Sequence, residues 1–440
     1  MRLQTPEKIR DLQRKLYFKA KREPKFRFYA LVDKVWREDI LQHAYRLVRA
    51  NGGAPGIDGE TFQSIEDGEG EAKFLSTLQQ ELKEKSYRAQ AVRRVYIPKA
   101  DGKKRPLGIP TIRDRVAQMA VKLVIEPIFE ADFEDCSYGF RPKRDAHQAV
   151  DAVSAALYRA HPYVLDADLQ QYFDSIAHDK LMKVIAVRIN DRHILHWIKQ
   201  WLSAAVVEED EEGKRRSHKP ERGTPQGGVI SPLLANVYLN LFDRMFRSYC
   251  RSTGLAAELV RYADDFVILM RGRTETTRKK VQEIIERLGL KLNEAKTRMV
   301  DARTGSFDFV GFSFTRRISY RSGRTITLTQ PSRKSERRFR EEVRRLTARW
   351  THCRPQQEVM DRVNRYIAGW VNYFHVHNST RVFARLRYFL ERRMLKYLRG
   401  RRQIKGFRSS QWPASRLYKE FGMVTIPVHA RYRSTSHALK

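Results

Sequence analysis

The feature that constrains this chain most is a pair of adjacent aspartates, Asp264 and Asp265, between two apolar runs. Residues 261–269 read RYADDFVIL, which predicts two short strands joined by a tight turn that carries both acids. Like charges at a tight turn raise each other's pKa unless a cation lies beside them. A solvated turn needs only one Asp, and the flanking Tyr262 and Phe266 indicate partial burial. The pattern therefore favours a cation site on a β-hairpin.

Two divalent metal ions explain such a pair, and they need a third carboxylate from another strand. In two-metal phosphoryl transfer, carboxylates bridge two Mg²⁺ ions about 3.5–4 Å apart, which activate a 3′-OH and stabilise the leaving pyrophosphate. Asp168 ends a predicted strand, where its side chain can face a neighbouring hairpin tip. Asp166 and Asp174 remain competitors. Asp166 lies two positions back on the same face of that strand, and Asp174 fits a helix N-cap or a salt bridge.

The net charge of the chain indicates a polyanionic partner. Its 440 residues hold 86 Lys and Arg against 51 Asp and Glu, a net charge of +35. Such an excess is typical of proteins that bind nucleic acid, where each neutralised phosphate releases a counterion. Residues 331–440 alone hold 27 Lys and Arg and seven Asp and Glu, a net charge of +20. Apolar residues repeat there at helical spacing over 339–350, 359–374 and 382–390, which predicts a basic three-helix module that clamps nucleic acid backbone.

Cysteine usage and hydropathy indicate the compartment. Cys136, Cys250 and Cys353 lie far apart and form no CxxC pair, so we expect neither a zinc site of the usual spacing nor a disulfide framework. The N-terminus lacks the apolar region of a secretory signal, and no stretch approaches the ~18 apolar residues of a membrane span. We therefore expect a cytoplasmic protein that does not contact a membrane.

Strand and helix patterns alternate irregularly along the chain, which predicts an α+β fold. Strand patterns cover residues 92–97, 163–168 and 307–314, with a hairpin at 259–270. Helical patterns cover residues 1–50, 111–160 apart from 137–142, 180–187, 231–242 and 281–288. Asp101 and Gly102 give a second hairpin signal after the strand at 92–97.

An ordered set of further motifs resembles one family. The motifs are Ile97-Pro98-Lys99, RPLGIP at 105–110, SYGFRP at 137–142, DLQQYFD at 168–174, GTPQGGVISP at 223–232, GLKLNEAKT at 289–297, FVGF at 309–312 and GWVNYF at 369–374. Together with the YADD turn, they resemble bacterial group II intron reverse transcriptase/maturases of the endonuclease-lacking type, over about residues 27–400.

The resemblance implies a right-hand polymerase fold, with fingers and palm and a helical thumb, the maturase X domain. The implied domains are an N-terminal extension of the fingers at 1–70, fingers and palm at 71–320, thumb at 328–400 and a basic C-terminal tail at 401–440. Asp168, Asp264 and Asp265 would form the catalytic triad and bind two Mg²⁺ ions, or Mn²⁺ in their place. The backbone carbonyl of Leu169 would complete the shell of one metal ion.

Other residues of these motifs would bind the substrate. Lys99 and Arg105 would hold the incoming triphosphate, as a cationic hairpin closing over a phosphate chain can do, although either alone fits ordinary surface charge. Phe173 would exclude a ribose 2′-OH or simply pack in the core, and Tyr172 points away from that site if the strand continues past the acids. Gln226 would lie near the nascent base pair and template, unless its loop is only a turn before a helix.

The function implied is an RNA-directed DNA polymerase encoded by a group II intron, which also assists splicing through shape-specific RNA binding. Its partners would be intron RNA as template, a DNA primer or target DNA, and dNTPs, with monomer and dimer both open. Tyr138 and Arg141 would lie in the fingers near the template or pack internally. Two alternatives remain: a domesticated enzyme in DNA repair or CRISPR adaptation, and an RNA-binding splicing chaperone without polymerase activity. The acid triad argues against the chaperone, because a pure binder needs no buried acids.

Overall fold

A computed structural model of the protein describes residues 3–98, 104–209, 214–320, 323–401 and 413–429. The chain divides into two compact units, each built from separate stretches of sequence. Unit 1 comprises residues 1–149, 167–266 and 273–298, and unit 2 comprises residues 150–166, 267–272 and 299–440. The predicted division into extension, fingers and palm, thumb and tail is not tested by these units and stays a prediction.

Unit 1 is organised around helix α6 (Ile112–Glu130), which is buried over most of its length. A helix that is apolar all round belongs in the centre of a core, and α1 (Glu7–Arg22) and α3 (Glu38–Asn51) pack on it. Its first turn is capped by Thr111, whose side chain accepts a bond from the Asp114 amide. The other helices of unit 1 are α2 (Val32–Val35), α4 (Phe62–Asp67), α5 (Gly70–Glu84), α8 (Tyr172–Ser175), α9 (His178–Ala186), α10 (Arg192–Leu202), α11 (Ser231–Thr253) and α12 (Thr274–Arg287), while α7 (Ala146–Tyr158) lies partly in each unit.

One four-stranded sheet of unit 1 carries the predicted strand at 92–97. Its order is β2-β1-β4-β5, with β1 (Val92–Pro98), β2 (Lys104–Ile109), β4 (Val206–Glu209) and β5 (Arg215–His218). β1 and β2 pair antiparallel, with Ile97 opposite Arg105, as the hairpin signal predicts. The turn residues Asp101 and Gly102 lie outside the described residues. The hairpin β4–β5 was not predicted.

A second four-stranded sheet has the order β6-β7-β3-β8. Its strands are β3 (Tyr163–Asp168), β6 (Ala257–Tyr262), β7 (Asp265–Met270) and β8 (Arg298–Asp301). The predicted strand at 163–168 and the predicted hairpin at 259–270 are both confirmed. The order puts β7, which begins at Asp265, beside β3, which ends at Asp168, and this adjacency is the basis of the candidate site.

In unit 2, the single strand predicted at 307–314 is wrong. The segment forms two strands, β9 (Phe307–Phe309) and β10 (Phe312–Ile318), which pair antiparallel with each other. Val310 and Gly311 both have positive φ angles, +50° and +82°, which reverse the chain between two apolar runs that look continuous in sequence. β11 (Thr325–Pro331) completes a sheet of order β11-β10-β9.

The predicted three-helix module of unit 2 is confirmed. Its helices are α13 (Arg333–Leu346), α14 (Gln356–Phe374) and α15 (Thr380–Arg401), followed by the short α16 (Ser415–Lys419). The first apolar run extends further in sequence than its helix, because α13 ends at Leu346 and Trp350 lies in the 3₁₀ turn Arg349–Cys353, where it is 58% exposed. Within the described part of the chain, no helix is both long and apolar enough to cross a membrane.

Candidate active site

The predicted catalytic acids all lie in unit 1, at the ends of neighbouring strands. Asp168 is the last residue of β3, and Asp264 occupies the turn that leads into β7 at Asp265. All three are partly buried. Burial raises the pKa of Asp264, and the negative charge of Asp168 raises it further. Asp168 and Asp264 therefore lie within electrostatic reach, in an arrangement that a cation stabilises.

The turn itself is strained. Ala263 has a φ of +58°, a left-handed conformation that costs an L-residue roughly 1–2 kcal/mol. The residues on either side differ in burial, since Phe266 is fully buried and Tyr262 is partly exposed. Non-glycine residues hold such a conformation only where the surroundings impose it, which makes the packing around this turn important for the acids.

The carboxylate of Asp168 is held by two side chains that the sequence reasoning did not single out. The Lys296 ammonium donates to its Oδ2 at 2.8 Å, and the Asn293 side-chain amide donates to the same oxygen at 3.2 Å. The amide of Asn293 also bonds the Asp168 carbonyl at 2.8 Å. Lys296 thus supplies a positive charge beside the acid, and its segment fixes the end of β3.

Leu169 is buried and forms an isolated β-bridge with Leu292. The two backbone bonds around this bridge use the carbonyls of Asp168 and Lys291. The bridge therefore does not consume the Leu169 carbonyl, which the resemblance assigns to a metal shell.

Asp174, a competitor for the third acid, has a different partner. Its exposed carboxylate accepts a hydrogen bond from the Gln226 side-chain amide at 2.9 Å, and the Gln226 carbonyl oxygen accepts one from Arg105 Nε at 2.7 Å. It does not cap a helix, because Gln171 occupies the N-cap of α8. Asp166 is partly exposed and belongs to unit 2.

Arg105 is placed by close packing of its strand against the loop 223–228. The Gly108 amide donates to the Gln226 carbonyl at 2.6 Å. A Cβ on Gly227 would lie 2.3 Å from the Gly108 carbonyl oxygen, so only glycine permits this approach. The positive charge of Arg105 also lowers the pKa of Asp264, which puts Arg105 in electrostatic reach of the acids. Lys99 lies outside the described residues.

Phe173 lies in α8 and is partly exposed, with its ring 5.6 Å from that of Tyr172 in an edge-on contact. The expectation that the strand continues past Asp168 is wrong, because Gln171 has a φ of +46° and the chain turns into a helix. Tyr172 is consequently part of the core, and its hydroxyl donates to the Ala235 carbonyl at 2.6 Å.

For the segment 137–142, the structure supports internal packing. Arg141 is buried, and its guanidinium donates to the Glu130 carboxylate and to the carbonyls of Glu134 and Ser137, each at 2.7 Å at the shortest. The Tyr138 amide donates to the Arg261 carbonyl at 2.9 Å, so this segment runs along the edge of β6.

Three carboxylates and a backbone carbonyl form the hard oxygen donor set that Mg²⁺ prefers. Among the residues that the structure describes, no group of three or more His, Cys, Asp or Glu side chains is gathered closely enough to hold a metal ion. The described geometry thus brings two of the predicted ligands, Asp168 and Asp264, into mutual reach and supplies counter-charges in Arg105 and Lys296.

Unit 2 contributes a basic groove of about 740 Å³ between α13 and α15, here called the α13–α15 groove. It is lined by Arg340, Arg344, Arg385, Tyr388, Phe389, Arg392, Arg393, Leu395, Lys396 and Arg399. The Phe389 ring lies under the guanidinium groups of Arg340 and Arg344, at 4.8 and 5.4 Å. Cations beside aromatic rings are the combination that binds phosphates and stacks bases.

Known proteins that resemble this chain decide its family. The profile of the family described as reverse transcriptase (RNA-dependent DNA polymerase) matches residues 97–314, and that of the group II intron maturase-specific domain matches residues 336–418. Protein YkfC of Escherichia coli (strain K12) is 35% identical over 364 residues, which cover 74% of this chain and 93% of that protein. The chain belongs to the group II intron reverse transcriptase/maturase family.

Group II intron-encoded protein LtrA of Lactococcus lactis is 40% identical over 220 residues, which cover 49% of this chain and 35% of LtrA. The chain thus spans about a third of the length of LtrA. The structure of telomerase from Candida albicans with a fragment of telomeric RNA aligns with a TM-score of 0.41 at 13% identity, over 74% of this chain and 62% of that chain. Reverse transcriptases generally use divalent metal ions, and the reverse transcriptase and maturase families bind RNA and DNA.

In this reverse transcriptase/maturase chain, sequence reasoning missed the buried charges behind the acids. Arg261 and Asp243 form an ion pair in which both side chains are fully buried. A signal was present, because a charged residue inside an apolar strand needs a buried partner, and an acid on the apolar helix 231–253 supplies one. Asn293 and Lys296 belong to a motif that was noted only for its resemblance.

Proposed function

We propose that this protein is an RNA-directed DNA polymerase that copies group II intron RNA into DNA and assists splicing of that RNA. The observation that carries the proposal is the placement of Asp168 within electrostatic reach of the Asp264–Asp265 turn, inside the region matched by the reverse transcriptase family. Neighbouring, partly desolvated carboxylates are poorly stable alone, and a metal-dependent phosphoryl transfer uses them.

In this proposal, Asp168, Asp264 and Asp265 hold two Mg²⁺ ions, or Mn²⁺ in their place, with the Leu169 carbonyl as a further ligand. The bound ions would activate the primer 3′-OH and stabilise the leaving pyrophosphate. Lys296 and Asn293 keep the Asp168 carboxylate oriented through their bonds to Oδ2.

The fingers residues hold the nucleotide in the same proposal. Arg105 binds the triphosphate of an incoming dNTP together with Lys99, and Gln226 fixes the Nε edge of the Arg105 guanidinium while Asp174 anchors Gln226. Guanidinium groups suit this role because they bind phosphate oxygens in a fixed geometry. Phe173 lies one turn of chain after Asp168, on α8, and its ring would occupy the space that a ribose 2′-OH needs.

The maturase activity needs no second active site. It requires a surface that recognises folded RNA, and the match to the maturase-specific domain, with the α13–α15 groove inside that region, supports it. Partners in this proposal are the intron RNA, a DNA primer or target DNA, and dNTPs.

Primer extension on an RNA template with Mg²⁺ tests the polymerase, with intron splicing assayed in the same preparations. We expect the wild type to extend the primer, Asp264→Asn to lose synthesis, and both to bind RNA and support splicing. Asp301→Asn is the matched control, since Asp301 pairs with Arg303 at 2.7 Å in unit 2 and should not affect synthesis. A wild type that supports splicing but makes no DNA would leave a splicing chaperone as the function.

A further inference from the structure

Behind the YADD turn, a chain of buried hydrogen bonds begins at Asp243 on α11 and ends at the backbone of the turn. Arg261, in β6, is completely buried, and Asp243 is 1% exposed. The Asp243 carboxylate accepts from Arg261 Nε at 2.8 Å and from the terminal nitrogen NH2 at 2.5 Å. The other terminal nitrogen, NH1, donates to the Asn236 side chain at 3.0 Å and to the Ala263 carbonyl at 2.8 Å.

The ion pair alone does not explain why a charge is kept here. Replacing a buried ion pair with apolar side chains of similar volume is often neutral or stabilising, so stability is weak grounds for retaining one. The bond from NH1 to Ala263 is different, because Ala263 has a φ of +58° and directly precedes Asp264. The guanidinium therefore grips the strained residue on which the position of the acids depends.

A second contact clamps the same turn from the other side. A Cβ on Gly139 would lie 2.4 Å from the Ala263 amide nitrogen, so the backbone at Gly139 packs flat on the turn. The Asn236 amide donates to the Gly139 carbonyl at 2.7 Å, and thus links this backbone to the Arg261 guanidinium. The Arg261 amide in turn donates to the Cys136 carbonyl at 2.8 Å.

We propose that Arg261 is a positioning residue for the metal-binding carboxylates: it holds the Ala263 carbonyl, and Asp243 and Asn236 hold its guanidinium. The inference rests on the proposed function in that Asp264 and Asp265 bind divalent metal. Arg261 itself, being fully buried, touches neither substrate nor metal. Ligands on a turn released from this clamp are displaced relative to Asp168, which weakens metal binding and slows the chemical step.

Displacements of about 1 Å at a reacting centre lower rates by up to about a hundredfold. We therefore expect loss of the clamp to reduce kcat by about ten- to a hundredfold. The Mg²⁺ concentration for half-maximal synthesis should rise, while the affinity for template–primer stays near that of the wild type. A residue that only supported folding would change stability and leave the Mg²⁺ dependence of the folded enzyme unchanged.

The decisive variant is Asp243→Leu/Arg261→Met, which removes both buried charges and keeps an apolar core. Mn²⁺ binding, followed by EPR on the full chain with template–primer, gives a readout besides activity, and thermal unfolding is measured in parallel. We expect weaker Mn²⁺ binding and lower kcat even where the melting temperature is that of the wild type. Recovery of Mn²⁺ affinity and kcat together with stability would overturn the proposal.

Arg261→Lys decides the matter if the double variant does not fold. Lysine keeps a charge for Asp243, but its single ammonium lacks the planar fork that reaches Asp243, Asn236 and Ala263 together. Wild-type Mn²⁺ binding in Arg261→Lys would overturn the proposal, and weaker binding in a folded variant supports it. Arg188→Met is the matched control, because Arg188 is 3% exposed and pairs with Asp132 at 2.9 Å elsewhere in unit 1.

The same experiment separates this proposal from the proposed function. A wild type that binds Mn²⁺ but makes no DNA would contradict the polymerase, while the comparison of Mn²⁺ affinities would still test the role of Arg261. A wild type in which Mn²⁺ binding is absent, or unaffected by Asp264→Asn, would overturn both.

Discussion

The α13–α15 groove is the place where charge removal should change nucleic acid binding in a countable way. Arg392 and Lys396 are exposed on α15 and line the groove, and Arg392 lies over the Tyr388 ring at 5.6 Å. Arg393 lines it too, but its guanidinium donates to the Thr347 hydroxyl at 2.8 Å and to the Thr347 carbonyl at 2.6 Å. We therefore expect Arg392 and Lys396 to contact phosphates and Arg393 to join α15 to the end of α13.

For Arg392→Gln/Lys396→Gln, the expected change follows from counterion release. Each phosphate contact contributes about 0.7–0.9 to the slope of log K against log salt, so losing two reduces the slope by about 1.4–1.8. Between 50 and 200 mM salt, the wild type should then lose about seven- to twelvefold more affinity than the double variant. The assay is a salt titration of template–primer binding by fluorescence anisotropy, repeated on two unrelated sequences.

Two controls sharpen this titration. Arg278→Gln/Lys279→Gln removes two exposed charges from α12, outside the groove, and should leave the slope unchanged. Arg393→Gln should lower the melting temperature with a smaller change in slope, because it loses bonds to Thr347. If the slope of Arg392→Gln/Lys396→Gln equals that of the wild type, the groove does not bind nucleic acid backbone.

Three further predictions concern single positions. Phe173→Ala should lower the ratio of kcat/KM for dCTP over CTP, and Tyr172→Phe, which keeps the buried ring, should not; the reverse result would remove Phe173 from the sugar site. Gly227→Ala should raise the KM for dNTPs at least several-fold in steady-state kinetics, because its Cβ would meet the Gly108 carbonyl and push back the strand of Arg105; an unchanged KM would contradict that packing. Thr111→Ala should destabilise the protein by about 1 kcal/mol in denaturant titration, because the cap of α6 is lost, and no change would contradict the cap.

Features with a short-range signal were predictable from the sequence. The strand ending at Asp168 and the hairpin carrying Asp264 and Asp265 follow from apolar runs and a polar turn, and both form as predicted. The strand at 307–314 was mispredicted because its reversal rests on left-handed backbone at Val310, a residue that rarely signals a turn.

Contacts between residues far apart in sequence were not predictable in the same way. Arg261 and Asp243 are partners only because β6 packs on α11, and no local period links the two positions. The chain from Asp174 through Gln226 to Arg105 likewise joins three separate motifs. Resemblance named Arg105 and Gln226 individually, whereas the bond between them is a property of the folded chain.

The choice of Asp168 as the third acid is tested most directly by comparing three variants in one assay. Asp168→Asn, Asp166→Asn and Asp174→Asn each remove one carboxylate charge with almost no change in volume, and RNA-templated primer extension with Mg²⁺ is measured for each. We predict that only Asp168→Asn abolishes synthesis, that Asp174→Asn reduces it through Gln226 and Arg105, and that Asp166→Asn leaves most of it. Synthesis by Asp168→Asn at a rate near that of the wild type would contradict the proposed active site.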